Sequence, residues 1–137
     1  MECQVLGITV HYEEYGSGRP FFGVHGWPLD HRHMVAEYEP LFANRPGWRR
    51  IYLDMPGMGK TLAADWINCQ DQMLDILIAF IDAVAPGERF VAAGTSYGGY
   101  MARGLVYHRG NQMDGVMLNV PVVETDASRQ QFPNKPH

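Results

Sequence analysis

The chain has 137 residues, of which 46% are hydrophobic and 19% charged, as expected for one soluble globular domain. Eleven Lys and Arg against fifteen Asp and Glu give a formal charge of −4, and the absence of a basic stripe excludes a nucleic-acid partner. No apolar segment approaches the roughly 20 residues that cross a bilayer, and no signal-peptide pattern opens the chain. We therefore predict a cytoplasmic protein without membrane association. Cys3 and Cys69 form no CxxC pattern, so neither a metal site nor a cofactor is predicted.

The first third of the chain predicts a β-hairpin, a buried strand and a helix. β-branched and aromatic residues alternate in part through 3–16, around Gly7, and "GSGRP" then breaks the pattern. The apolar run "PFFGVHG" closes with glycine, which is typical of a strand buried on both faces of a parallel sheet. Asp30 is placed to N-cap a helix through "HRHMVAEYEPLF", whose end Pro40 should disturb.

The rest of the chain alternates strand and helix. "RRIYLD" is predicted as a buried strand, and Asn68 with Asp71 resembles a capping pair before an amphipathic helix that ends at Pro86-Gly87. "RFVAAGTS", "YGGYMARGLVYHR" and "DGVMLNVPVV" follow as strand, helix and strand. This order predicts an α/β fold with right-handed βαβ units and a mostly parallel sheet.

The stretch "DMPGMGKT" ends as a phosphate-binding loop ends, in Gly59-Lys60-Thr61 after a strand. A P-loop has glycine five positions before the Gly that precedes its lysine, and here that position is Asp54. The Asp54 carboxylate would repel phosphate, and Pro56 removes one N–H donor from the cradle. We therefore predict no nucleotide binding.

The stretch "GTSYGG" fits the pattern G-x-S-x-G, with an apolar strand before it and a helix after it, as that motif requires. A serine in so sharp a turn is strained, and the turn is tolerated because Gly94 and Gly98 lack side chains. It presents Oγ of Ser96 beyond the carboxyl edge of the sheet, where the helix N-terminus favours a developing oxyanion. Ser96 is thus a candidate nucleophile.

A second loop, "VHGWP", follows the predicted buried strand. Acyl transfer needs two N–H donors for its oxyanion, and the His25-Gly26 loop can present the N–H of Trp27 beside that of Tyr97. The alternative is that His25-Gly26 makes a simple turn and Trp27 packs in the core.

In this order, "HGWPLDHR", "DMPGMGKT" and "GTSYGG" resemble the HGxP loop, the D-x-P-G-x-G loop and the nucleophile elbow of the α/β-hydrolase fold. The resemblance extends from the first hairpin to the sixth strand, after which the sheet is expected to end. It implies a serine hydrolase that cleaves an ester, thioester, amide or activated carbon–carbon bond of a small-molecule carbonyl substrate through an acyl-enzyme. Serine at position 96 disfavours the haloalkane dehalogenase and epoxide hydrolase branches, whose nucleophile is Asp.

The resemblance also implies a histidine base, which follows the nucleophile and the acid in chain order. After Ser96 come His108, at the far end of the next helix and about 18 Å away along its axis, and the terminal His137. The catalytic histidine is therefore expected outside this chain, which should be inactive alone. Of the earlier histidines, His25 belongs to the oxyanion loop, His31 and His33 are expected on the surface of the first helix, and His11 lies in the hairpin.

The acid is expected just beyond the sixth strand, where some branches of the family carry it. Glu124 is the candidate, with Asp126 as the other choice and a solvated loop carboxylate as the alternative. We divide the chain into the N-terminal part of the α/β-hydrolase core, 1–123, and the start of a linker or cap segment, 124–137. The competing functional class is a non-catalytic binding or interaction module that dimerises through its open sheet edge.

Overall fold

The computed structural model describes residues 1–119 of the chain, and strands and helices alternate through most of that range. The strands are β1 Glu2–Val5, β2 Ile8–Tyr15, β3 Arg19–Val24, β4 Trp48–Leu53, β5 Phe90–Thr95 and β6 Met113–Asn119. The helices are α1 His31–Phe42, α2 Gln70–Val84 and α3 Tyr97–Arg109, the last followed by a 3₁₀ turn, Gly110–Gln112.

The strands form one sheet in the order β1-β2-β4-β3-β5-β6. β1 pairs with β2 and β2 with β4 in antiparallel fashion, whereas the pairs β3–β4, β3–β5 and β5–β6 are parallel. The expected α/β fold, a mostly parallel sheet with an N-terminal hairpin, is confirmed. The hairpin turns at Leu6 and Gly7, whose φ angles of 50° and 77° suit a two-residue type I′ turn.

The central strand β3 is buried on both faces, as its continuous apolar sequence predicts. Successive side chains point to opposite faces, so Phe22 packs edge-on against Phe80 of α2 and against Phe90, while Phe21 packs against Tyr38 and Phe42 of α1. The two phenylalanines therefore belong to two separate apolar clusters, one on each side of the sheet.

The predicted N-cap is confirmed for α1 and is wrong for α2. Asp30 caps α1, and its side chain accepts the N–H of Arg32 at 2.9 Å, as predicted; the helix continues through Pro40 to Phe42. The predicted capping pair Asn68 and Asp71 is wrong. The N-cap of α2 is Cys69, without a side-chain bond, and the longer side chain of Gln72 reaches back to accept the N–H of Asn68 at 2.7 Å.

The outer strand β6 pairs with β5, and its apolar side chains are substantially exposed: 38% for Val116, 42% for Met117 and 40% for Leu118. None of the helices within residues 1–119 has both the length and the apolar character needed to cross a membrane. A cytoplasmic location stays a prediction.

Candidate active site

Three loops meet at the carboxyl edge of the sheet, one after each of β3, β4 and β5. Together with the segment that leads into α2, they surround a cleft of about 690 Å³. Its apolar wall is formed by Trp27, Pro56, Ile67 and Met73, and Ser96 lies in its lining. The sheet topology thus brings the sequence motifs at 25–28, 54–61 and 94–99 to one place.

Ser96 occupies the turn between β5 and α3 in a strained conformation, with φ 55° and ψ −115°. Among non-glycine residues 1–119, positive φ occurs at this serine and at the hairpin residue Leu6. The turn is held by its backbone: the N–H of Ser96 donates to Asn119 at 2.9 Å, and its carbonyl accepts the N–H of Gly99 at 2.9 Å. Such strain persists because the surrounding structure over-determines it, and it is common at functional sites.

Two glycines make this turn possible by allowing backbones to touch. A Cβ on Gly94 would lie 2.1 Å from the carbonyl oxygen of Gly98. A Cβ on Gly98 would lie 1.8 Å from the carbonyl oxygen of Val24. Either side chain would force α3 away from the sheet.

The loop after β3 lies directly against the serine turn. A Cβ on Gly26 would meet Cβ of Ser96 at 3.3 Å and the carbonyl oxygen of Thr95 at 3.1 Å. The Trp27 side chain is 66% exposed and lines the cleft, so the alternative that it packs in the core is wrong. Tyr97 is the first residue of α3, where a backbone N–H has no partner within its own helix.

The Tyr97 side chain also lines the cleft, and its hydroxyl donates to the side-chain oxygen of Gln70 at the start of α2. Burial raises the pKa of Tyr97 to about 12, and the neighbouring Tyr100 contributes in the same direction. Tyr97 therefore stays protonated and acts as a donor at neutral pH.

His25 is fully buried and uses both of its ring nitrogens. Because the Met55 N–H can only donate, Nε2 accepts it at 3.0 Å, and Nδ1 carries the hydrogen that goes to the Gly26 carbonyl at 2.8 Å. Burial lowers the pKa of His25, although the Gly26 bond and Asp54 oppose that shift. This histidine joins the loop after β3 to the loop after β4.

The loop after β4 wraps around its own carboxylate. Asp54 is fully buried; Oδ1 accepts the backbone N–H of His31 at 2.7 Å and its Nδ1 at 2.8 Å, and Oδ2 accepts the N–H of Lys60 at 3.0 Å. Gly59, with φ 55°, is required because a Cβ there would lie 2.4 Å from this carboxylate. The Thr61 hydroxyl accepts the N–H of His11 at 2.9 Å. The loop's polar groups are thus engaged within the protein, and the absence of nucleotide binding stays a prediction.

The expectation that His31 is a surface residue is wrong, since it is 8% exposed and its ring contacts Asp54. A buried carboxylate must be hydrogen-bonded, and the first residue of α1 supplies two of its three donors. Sequence reasoning missed this role because the two residues are 23 positions apart. The two glycines of the loop, Gly57 and Gly59, both have positive φ, and they are the signal in the local sequence that a tight turn forms there.

The other predicted residues lie away from the cleft or outside the described range. His108 is exposed near the end of α3. Within residues 1–119, none of the histidine rings makes a hydrogen bond to Ser96. Glu124, Asp126 and His137 lie outside the described residues, as does the proposed boundary between 1–123 and 124–137.

A single, mostly parallel sheet with helices on both faces and a strained serine between a central strand and a helix defines the α/β-hydrolase class. The profile described as "Alpha/beta hydrolase family" matches residues 21–136, and the chain belongs to that family. Its fold is similar to that of an alpha/beta superfamily hydrolase from Oenococcus oeni PSU-1, with a TM-score of 0.83 and 37% identity over 89% of this chain and 45% of that one.

Two relatives characterise the match further. The chain is 31% identical to the AB hydrolase superfamily protein YisY of Bacillus subtilis (strain 168), over 92% of this chain and 46% of the relative. It is 30% identical to a pimeloyl-[acyl-carrier protein] methyl ester esterase of Legionella pneumophila (strain Corby), over 69% of this chain and 35% of the relative. The chain thus spans less than half the length of these relatives, which include an esterase.

Proposed function

We propose that this chain supplies the nucleophile and the oxyanion-binding elements of a serine hydrolase. The main support for this proposal is the position of Ser96. Its strained backbone holds it in the lining of the cleft, at the N-terminus of α3. A structure stores strain at a serine when the position of Oγ matters more than the stability lost. The substrate class is an ester, thioester, amide or similar carbonyl compound.

In this mechanism, Oγ of Ser96 attacks the carbonyl carbon, and a histidine base takes the hydroxyl proton. The tetrahedral oxyanion accepts hydrogen bonds from the N–H groups of Trp27 and Tyr97, and the positive end of α3 stabilises it further. Collapse expels the leaving group, which takes the proton from the histidine, and leaves an acyl-enzyme. Water then attacks the acyl-enzyme and regenerates Ser96.

Residues 1–119 contain neither the base nor the acid that we assign to this mechanism. We assign the histidine to a position outside the described residues and keep Glu124 as the candidate acid. His25 is unsuited to the role of base because both of its ring nitrogens are already hydrogen-bonded.

The residues that line the cleft indicate the kind of substrate that it would accept. Trp27, Pro56, Ile67 and Met73 offer apolar surface beside Ser96, and Asn68 and Gln70 add amide groups at one side. A small molecule with an apolar portion next to its carbonyl group fits this lining. The relative named as a methyl ester esterase supports esters as the first substrates to test.

The test uses Ser96→Ala in the full-length protein. We expect a loss of several orders of magnitude in the hydrolysis of p-nitrophenyl esters, since the members of a triad act as a unit. A fluorophosphonate probe should label Ser96 and no other residue. Ser17→Ala, in the exposed turn after β2, is the matched control and should keep full activity. Labelling elsewhere, or unchanged turnover in Ser96→Ala, would refute the proposal.

The competing function, a non-catalytic interaction module, is favoured by one observation, the apolar side chains exposed on β6. Such a module would associate through that strand and would leave Ser96 unlabelled. Probe labelling therefore separates the two functions without knowledge of the natural substrate.

A further inference from the structure

A cluster of metal-ligating side chains lies beside the β4 loop, apart from the cleft. His11 and Glu13 project from the same face of β2, and His31 begins α1. One ring nitrogen of each histidine and one carboxylate oxygen of Glu13 lie within 4.8 Å of one another. None of the three residues lines the cleft that contains Ser96.

His11 has a buried nitrogen that its surroundings do not satisfy. Nε2 has no hydrogen-bond partner in the described part of the chain, and the nearest carboxylate oxygen, of Glu13, is 3.5 Å away. That separation exceeds the usual 2.7–3.2 Å of an N–H···O hydrogen bond. A buried polar atom without a partner costs free energy, and an unplaced ion is one of its ordinary explanations.

His31 is oriented as metal-binding histidines are. Its Nδ1 donates to Oδ1 of Asp54 at 2.8 Å, which leaves the lone pair of the neutral ring on Nε2. A carboxylate that holds the second nitrogen of a histidine fixes its tautomer and raises its basicity as a ligand. The buried Asp54 would thus orient the His31 ring for metal binding through Nε2.

The negative charge of the buried Asp54 also favours a bound cation at this cluster. Asp54 is fully buried, and no Lys or Arg of residues 1–119 lies within ion-pair distance of it. A buried carboxylate needs a compensating positive charge. A cation held by the neighbouring His31 would supply that charge.

We propose that His11, Glu13 and His31 bind a divalent transition-metal ion through Nε2 of each histidine and a carboxylate oxygen. Two imidazoles and one carboxylate are a donor set suited to zinc, and the partly exposed Glu13 leaves room for a water ligand. The ion joins β2 to the start of α1 and to the Asp54 loop.

A second group, Asp30, His31 and Asp54, is less suited to bind a metal ion. Asp54 already accepts three N–H groups, and Asp30 is bonded to Arg32.

The experiment measures zinc binding to the tag-free protein by competition with a chromogenic chelator and by elemental analysis after dialysis. We expect one zinc per chain, with affinity reduced at least tenfold in His11→Asn and in Glu13→Gln. At equal zinc concentration, the thermal midpoint should rise more in the wild type than in Glu13→Gln. Circular dichroism of each metal-free variant checks folding, and Glu13→Gln is the milder change because Glu13 makes no other side-chain bond within residues 1–119.

His33 provides the matched control. Its Nδ1 is buried without a partner in residues 1–119, and its Nε2 lies 3.9 Å from a carboxylate oxygen of Glu37, but it lacks a third ligand. His33→Gln should bind zinc as the wild type does. The proposal is overturned if the wild type binds no zinc, if His11→Asn and Glu13→Gln bind it unchanged, or if His33→Gln weakens binding as much as they do.

Discussion

Gly98 of α3 lies against Val24 of β3 so closely that a Cβ on the glycine would be 1.8 Å from the valine carbonyl oxygen. The contact joins the helix that follows Ser96 to the strand that precedes the loop at His25 and Gly26. Because both partners are backbone, neither can rotate away from an added side chain. The distance between Ser96 and the loop after β3 therefore depends on the absence of one methyl group.

Gly98→Ala should lower the free energy of unfolding by about 3 kcal/mol, the upper end for overpacking, since the obstacle is a carbonyl group. Urea denaturation measures the effect. Gly110→Ala, where the nearest atom would be Val106 Cγ1 at 3.9 Å, is the control and should change stability little. Equal stability of the two variants would contradict the close packing at Gly98.

Ser96→Gly should be more stable than Ser96→Ala by about 1 kcal/mol, because glycine adopts a φ of 55° with ψ −115° without strain whereas alanine retains it. Both variants lack the Ser96 hydroxyl, so activity does not enter the comparison. Denaturant titrations of the two proteins side by side provide the measurement. A glycine variant no more stable than the alanine variant would show that the turn stores no strain.

Stability should fall as pH drops below about 6.5, the ordinary pKa of His25. Burial lowers its pKa in the folded protein, so the unfolded chain binds the proton more readily and stability is lost on acidification. His25→Gln should lose less stability between pH 7.5 and 5.5 than the wild type does. His108→Gln, which changes an exposed histidine, should keep the wild-type dependence. If His25→Gln matched the wild type, the buried neutral histidine would not be the cause.

Calorimetry with ATP or GTP and magnesium should show no binding to the wild type or to Lys60→Ala. The Lys60 N–H goes to Asp54 and the Thr61 hydroxyl accepts from His11, so the loop has fewer groups to offer a phosphate. Lys60→Ala should also keep the wild-type stability, since the backbone N–H is retained. Micromolar nucleotide affinity that disappears in Lys60→Ala would reverse our interpretation of this loop.

The 137-residue polypeptide alone should hydrolyse p-nitrophenyl acetate at less than about 1 s⁻¹, the low end of ordinary enzyme rates. Because no histidine ring of residues 1–119 is hydrogen-bonded to Ser96, the rate should reach roughly 10³ to 10⁴ times that in water, which oxyanion donors and binding provide. The exposed Val116, Met117 and Leu118 of β6 should also make it associate. Light scattering and ester turnover test both points. A folded monomer with faster turnover would show that a base lies within this chain.

Local sequence was sufficient for the order of strands and helices, the cap at Asp30 and the strand–serine–helix turn at Ser96. Each depends on residues adjacent in the chain: period-2 and period-3.6 apolar patterns, a short capping side chain and glycines beside the serine. The same local rule failed at Asn68 and Asp71, because the side chain of Gln72 competed for the backbone there.

Tertiary structure alone decided which distant residues meet. The sheet order places the loops after β3, β4 and β5 side by side, and that packing gives His25 its Met55 donor and buries His31 on Asp54. Both bonds join residues 23 to 30 positions apart, so no periodic pattern predicts them. Their physical cause is the cost of burying a carboxylate or an imidazole without a partner, a cost that arises once the chain has folded around them.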